Sequence, residues 1–275
     1  MNCYFDTSIY NRILDDQDKD LIIENIKRKS ITAIPSLVNL CEILQTPDKE
    51  RKQSLLSIYH EIRNDYHALK PFTILLRDAV EAIQEGNIYV EVNMPVKIDA
   101  ETEQLCKDVL KNPGKEFDEY ALKARGWLFE EKRIKYMPDS KTFLKNSNDE
   151  RMNQIWIELF KKGACEGLGI KGLKLNDDTI LQIVKDPNSP WKYHLDTYLL
   201  ILYRRAMKTE GYGKKTNPGG ADLIQGIYLS WSDIFVIRDG NFYDFMKELK
   251  YAQGYQKEIF TYGEFKKYLG IEQQG

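Results

Sequence analysis

Two short apolar runs lie near opposite ends of the chain, Asn2-Cys-Tyr-Phe5 and Ile234-Phe-Val-Ile237. An acid closes each, Asp6 directly and Asp239 after one intervening residue. Runs of this length bounded by turn residues read as strands. After the first, Asp6-Thr7-Ser8 offers capping side chains, and Ile9, Tyr10, Ile13 and Leu14 follow at helical spacing. A second helix is predicted from Asp18 to Lys29, a second strand through Ile31, Ala33 and Ile34 to Pro35, and a third helix capped by Ser36. On that third helix Leu37, Val38, Leu40, Cys41 and Leu44 are assigned to the buried face, and Asn39, Glu42 and Gln45 to an opposite polar stripe. The second run is preceded by a predicted helix from Ala221 to Trp231. It is followed by a segment Asn241 to Lys250, a last strand Glu258 to Thr261 and a short terminal helix. Strands alternating with helices predict an α/β fold, a parallel sheet with helices on both faces. The two ends of the chain are the expected halves of that one domain.

The stretch between them has another character. It is charged and mostly helical in pattern, in Leu55 to Lys70, Phe72 to Ile83, Glu101 to Leu110, Phe117 to Glu131, Asn148 to Lys162 and Lys192 to Met207. Ile88 to Val92 alternates as a strand would, Gly167 to Gly172 marks a turn, and Gly211 to Gly220 a loop. The predicted organisation is therefore a discontinuous core, residues 1–50 and 215–275, carrying a large helical insertion, residues 51–214. With 275 residues, 42% hydrophobic and 12% aromatic, and a net charge of −2, the chain has enough apolar material for a sizeable core, which excludes a disordered one. No apolar run reaches the roughly 20 residues of a membrane span. Asp6 falls where a signal peptide would be apolar, so a cytoplasmic protein is expected. The four cysteines form no CxxC pair, which argues against a zinc knuckle.

The chemistry rests on four acids. Asp6 closes the first strand, Glu42 lies on the polar stripe of the third helix, Asp222 opens a helix and Asp239 closes a later strand. In an open parallel sheet, residues just past the carboxyl ends of the strands share one crevice, where such folds bind ligands. Carboxylates gathered there repel one another unless a cation is present, and hard oxygen ligands suit Mg²⁺ or Mn²⁺. The matching reaction is phosphodiester hydrolysis by a metal-activated water. Each acid also has a plainer reading. Asp6 and Ser8 suffice as caps, Asp222 as a partner of the helix dipole, Glu42 as a solvated residue, and Asp239-Gly240 as a turn.

The segments YFDTSIYNRIL, IPSLVNLCEIL and GGADLIQGIYLSWSDIFVIRDGNFYDFM resemble the three signature blocks of the PIN domain, a family of metal-dependent nucleases. FTYGEFKKYLGI resembles its closing strand and helix. The resemblance implies a PIN-like core in which Asp6, Glu42, Asp222 and Asp239 bind one or two Mg²⁺ or Mn²⁺ ions. Ser8 matches the family's hydroxyl residue and would orient Asp6 or a metal-bound water. The implied activity is that of an endoribonuclease leaving 5′-phosphate and 3′-hydroxyl ends. A bacterial toxin or defence role with an inhibitory protein partner would follow from the habit of the family. One position departs from the pattern: Ile237 stands two before the last acid, where the family commonly has threonine or serine.

For substrate, Arg204, Arg205, Lys208, Lys214 and Lys215, with Tyr203 and Tyr212 among them, lead into the block holding Asp222. Such cations track phosphates while tyrosines stack on unpaired bases, as in a single-strand binder; a solvated helix end is the plainer alternative. A second basic and aromatic stretch, Lys123 to Tyr136, is diluted by Glu130 and Glu131. His60, His67 and His194 make no HxxxH or HExxH pattern and read as single core or surface residues. Two alternatives stand beside a ribonuclease: a DNA or flap-type nuclease, and a catalytically weak PIN-like scaffold that binds RNA or protein through its helical insertion.

Overall fold

The computed structural model describes residues 1–63, 67–87, 89–109, 139–146, 150–169, 172, 174–207, 224–238 and 240–271. Asn2–Phe5 forms strand β1, and Asp6 caps helix α1 (Thr7–Asp15) by accepting from the Ser8 N–H. Helix α2 (Lys19–Arg28) and strand β2 (Thr32–Ala33) follow. Ser36 then starts α3 (Leu37–Leu44) with a capping box whose returning side chain is Asn39. Asp48 caps α4 (Lys49–Ile62). The helical pattern predicted to run on to Lys70 breaks at Ile62, and His67–Leu69 is strand β3. Pro71 accounts for part of this, because a residue that precedes proline is pushed from helical to extended geometry.

Helix α5 (Phe72–Gln84) is followed by strand β4 (Asn93–Pro95), which pairs antiparallel with β3. The strand expected at Ile88 to Val92 is thus displaced: the described residues 89–92 carry no strand, and pairing starts where β3 supplies a partner. The β3–β4 pair hooks onto the rim of the main sheet, with the Leu69 N–H donating to the Pro35 carbonyl at 2.9 Å. Next come α6 (Ala100–Val109), α7 (Ser140–Asn146), α8 (Glu150–Leu168), α9 (Asp177–Lys185) and α10 (Pro190–Met207). The predicted Phe117 to Glu131 helix and the Gly211 to Gly220 loop lie outside the described residues, as does all of the second basic stretch. The helix expected from Ala221 to Trp231 is described from Ile224 and tightens into a 3₁₀ turn, Gly226–Ser230. A β-carbon at Gly226 would collide with Thr197 Oγ1 of α10, so this turn needs glycine to sit against that helix. Strand β5 (Ile234–Ile237), α11 (Asn241–Gln253), β6 (Glu258–Thr261) and α12 (Tyr262–Leu269) are the last elements among the described residues.

The main sheet has four parallel strands in the order β2-β1-β5-β6. Both of its faces are buried, as a parallel sheet requires. Alternation sends Cys3, Phe5, Ile234 and Val236 to one face, where α1–α4 and α12 cover them with Ile9, Ile22, Leu40, Tyr59 and Phe265. Tyr4, Phe235 and Ile237 point to the other, under Leu75, Phe160, Ile180, Leu199 and Phe245. The described helices of residues 51–214 share these two cores: α4 joins the first, and α5 with α7–α10 makes up most of the second. No helix among the described residues is long and apolar enough to cross a membrane.

Candidate functional site

Strand β1 is central. The connection through α1 and α2 places β2 on one side of it, and β5 pairs on the other. The carboxyl end of β1 is thus a topological switch point, where loops diverge and a crevice opens. Asp6 stands there, its N–H donating to the Val236 carbonyl of β5 at 3.0 Å. Its half-buried carboxylate takes two bonds on Oδ2, from the Ser8 N–H at 3.3 Å and from the Ser8 hydroxyl. The capping reading of Asp6 and Ser8 is therefore correct in geometry, and it leaves Oδ1 without a partner among the described residues.

The polar stripe assigned to α3 is corrected by the structure. Asn39 is fully buried; Glu42 is half-buried and Gln45 exposed. Burial of an amide is unfavourable unless its hydrogen bonds are made, and those of Asn39 are. Its Oδ1 accepts from the Ser36 N–H at 2.7 Å, and its Nδ2 donates to Thr7 Oγ1 at 2.8 Å and to the Tyr4 hydroxyl at 3.4 Å. The Tyr4 hydroxyl lies 3.1 Å from Ser36 Oγ and donates to Gln225 Oε1 at 3.2 Å. Burial pushes the Tyr4 hydroxyl well above its usual range, so it stays protonated and able to donate. Tyr4 also packs against Tyr228, ring centroids 4.9 Å apart.

Glu42 follows Asn39 by three residues and so lies on the same side of α3, about 4.5 Å further along its axis. Because Asn39 grips the first turn of α1, Glu42 is carried on the helix that docks beside Asp6. Asp222 and Asp239 lie outside the described residues, as do Lys208, Tyr212, Lys214, Lys215 and the side chain of Arg205. No group of three or more His, Cys, Asp or Glu able to hold a metal ion is found among the described residues, to which Asp6 and Glu42 contribute two carboxylates.

Arg204 has other work than the phosphate contact assigned to it. Its guanidinium bonds Glu248 of α11 at 2.6 Å and lies over the Phe245 ring, 5.0 Å from the centroid. Tyr203 is buried against Phe143. The described part of this basic run is thus a packed seam between α10, α7 and α11. The cysteines are free thiols. His194 packs against both Phe72 and Trp191, centroids 4.8 and 5.7 Å away, and burial of its ring pushes its pKa down to about 4.

Asn39, Tyr4 and Gln225 are the residues that the acids alone did not point to. A Ser-x-x-Asn pattern opening an apolar helix is a capping-box variant, and a tyrosine in an otherwise apolar strand needs a partner for its hydroxyl. No family model matches the chain, and no curated protein or solved structure matches it.

Proposed function

We propose that this chain is a metal-dependent endoribonuclease with a PIN-like core. The observation that carries the reading is the position of Asp6, a part-exposed carboxylate held by Ser8 at the switch point of a parallel sheet, with α3, the helix that carries Glu42, tied through Asn39 to the neighbouring Thr7. The donor chemistry fits a hard divalent cation: a carboxylate with one oxygen committed to Ser8 offers the other as a ligand, and a second carboxylate comes from the adjoining helix. Asp6, Glu42, Asp222 and Asp239 are the residues that would hold Mg²⁺ or Mn²⁺. When bound, such an ion supplies Lewis-acid stabilisation of the phosphodiester and a water of lowered pKa.

The rest falls to the protein. Ser8 restricts the Asp6 carboxylate to one arrangement through two bonds on the same oxygen, and the cap ties that oxygen to the first turn of α1. Burial on both faces of β1 and β5 makes the strand ends a rigid support for acids that follow them. RNA is the proposed polymer. The described part of the basic run is committed to packing, so strand-positioning cations are assigned to Lys208, Lys214 and Lys215 rather than to Arg204.

The test is cleavage of a mixed RNA and single-stranded DNA panel by wild type and Asp6→Asn, with Mn²⁺ or with a chelator. Metal-dependent cutting that Asp6→Asn lowers by at least a hundredfold supports the assignment, and the panel identifies the polymer. Unchanged cutting by folded Asp6→Asn would refute the role of Asp6. Binding without cutting would favour a scaffold.

A further inference from the structure

Three segments singled out for their acids meet in one buried hydrogen-bonded cluster. Thr7 adjoins Asp6, Asn39 precedes Glu42 by three residues, and Gln225 follows Asp222 by three. Their side chains converge on Tyr4 and on one another: Asn39 Nδ2 reaches Thr7 Oγ1 at 2.8 Å and the Tyr4 hydroxyl at 3.4 Å, and that hydroxyl donates to Gln225 Oε1 at 3.2 Å. Tyr4, Asn39 and Gln225 are each no more than 2% exposed.

A network of this kind is a directional constraint. Apolar contacts between α1, α3 and the segment entering the 3₁₀ turn would tolerate small slides, because dispersion and hydrophobic burial have no preferred angle. Hydrogen bonds among buried groups tolerate little, since each one lost leaves a polar atom shut away from water. The cluster therefore fixes α3 against the start of α1, and the segment at Gln225 against β1, at the level in the sheet where Asp6 emerges. Tyr4 is suited to the centre. It stands on the central strand one residue before Phe5 and two before Asp6, and alternation turns it to the face opposite Phe5.

We infer that the Tyr4 hydroxyl, the Asn39 amide and the Thr7 hydroxyl are positioning residues that set the spacing of the carboxylates and hence the affinity of the site for its divalent ion. This rests on the nuclease reading above. The three do not touch the ion; they hold the elements whose acids do. Outer residues that orient metal ligands are typically worth roughly ten- to a hundredfold in metal affinity.

The experiment measures Mn²⁺ binding by electron paramagnetic resonance for wild type, Tyr4→Phe, Thr7→Val and Thr7→Ser, each below its unfolding temperature. Tyr4→Phe removes only a hydroxyl. Thr7→Val replaces a hydroxyl with a methyl group of the same shape, and Thr7→Ser restores it. The expected result is an Mn²⁺ dissociation constant raised roughly tenfold in Tyr4→Phe and Thr7→Val, with Thr7→Ser close to wild type. Variants that bind Mn²⁺ as tightly as wild type, even at a lower unfolding midpoint, would overturn the inference and leave the nuclease reading standing, because the cluster would then serve stability alone. A wild type that binds no Mn²⁺ would overturn both.

Discussion

His194 gives the fold a measurable response to acid. Its ring packs against both Phe72 and Trp191, Nδ1 is shut from solvent, and its pKa falls to about 4 from an unfolded value of about 6.5. Between those two values the unfolded chain binds a proton that the folded chain refuses. Stability is therefore present above pH 6.5, falls as the pH drops through that value, and levels off below about 4. A gap of about 2.5 units is equivalent to about 3 kcal/mol, of which about 2 kcal/mol is lost by pH 5. Part of the residue reaches the surface, so these values are ceilings. His194→Gln keeps a polar side chain of similar size that does not titrate. Urea unfolding of both proteins at pH 7 and pH 5 removes the contribution of carboxylates common to the two. The wild type is expected to lose between about 1 and 2 kcal/mol more than the variant over that interval. Equal losses would show that the His194 ring is protonated in the folded state without penalty, and the reasoning would fail.

Two further substitutions probe the packing around the site. Gly226→Ala forces a β-carbon onto Thr197 Oγ1, whose hydroxyl is bonded to the Tyr193 carbonyl at 2.8 Å, and overpacking of this kind is expected to cost about 1–3 kcal/mol in a thermal denaturation assay. Arg204→Ala is expected to cost about 1–2 kcal/mol by loss of Glu248 and of the contact over Phe245, while RNA affinity in a filter-binding assay stays within twofold of wild type.

How much of this was legible in the sequence depended on whether a segment's neighbours are local. β1 and β5 show as largely apolar runs because a parallel strand buried on both faces must be apolar almost throughout. α1 and α3 show because Asp6 and Ser36 cap them from adjacent positions in the chain. β3 and β4 did not. Each is three residues long, and what makes them strands is the pairing of His67 with Pro95 and of Leu69 with Asn93, which no local pattern encodes. The short helix α9 was missed as well, although Asn176 caps it. Asn39 was misplaced for a related reason. Helical spacing put it on a polar stripe with Glu42 and Gln45, but spacing reports the side of a helix and not what covers it. There the cover is Thr7 and Tyr4, from the other side of a strand-to-helix turn. Arg204 likewise read as a free cation because Glu248 lies 44 residues away.

The pairing of β1 with β5 also has a consequence for synthesis. Cys3 registers with Ile234, so the central strand leaves the ribosome long before the partner that encloses it on one side exists. At roughly 5–20 residues per second, the wait is on the order of 10 to 50 seconds. During it Phe5 and Tyr4 have helices to cover them but half of their sheet is missing. On the nuclease reading Asp6 likewise waits for Asp239, so a nascent chain that has not yet reached β5 has no assembled centre with which to cut its own messenger.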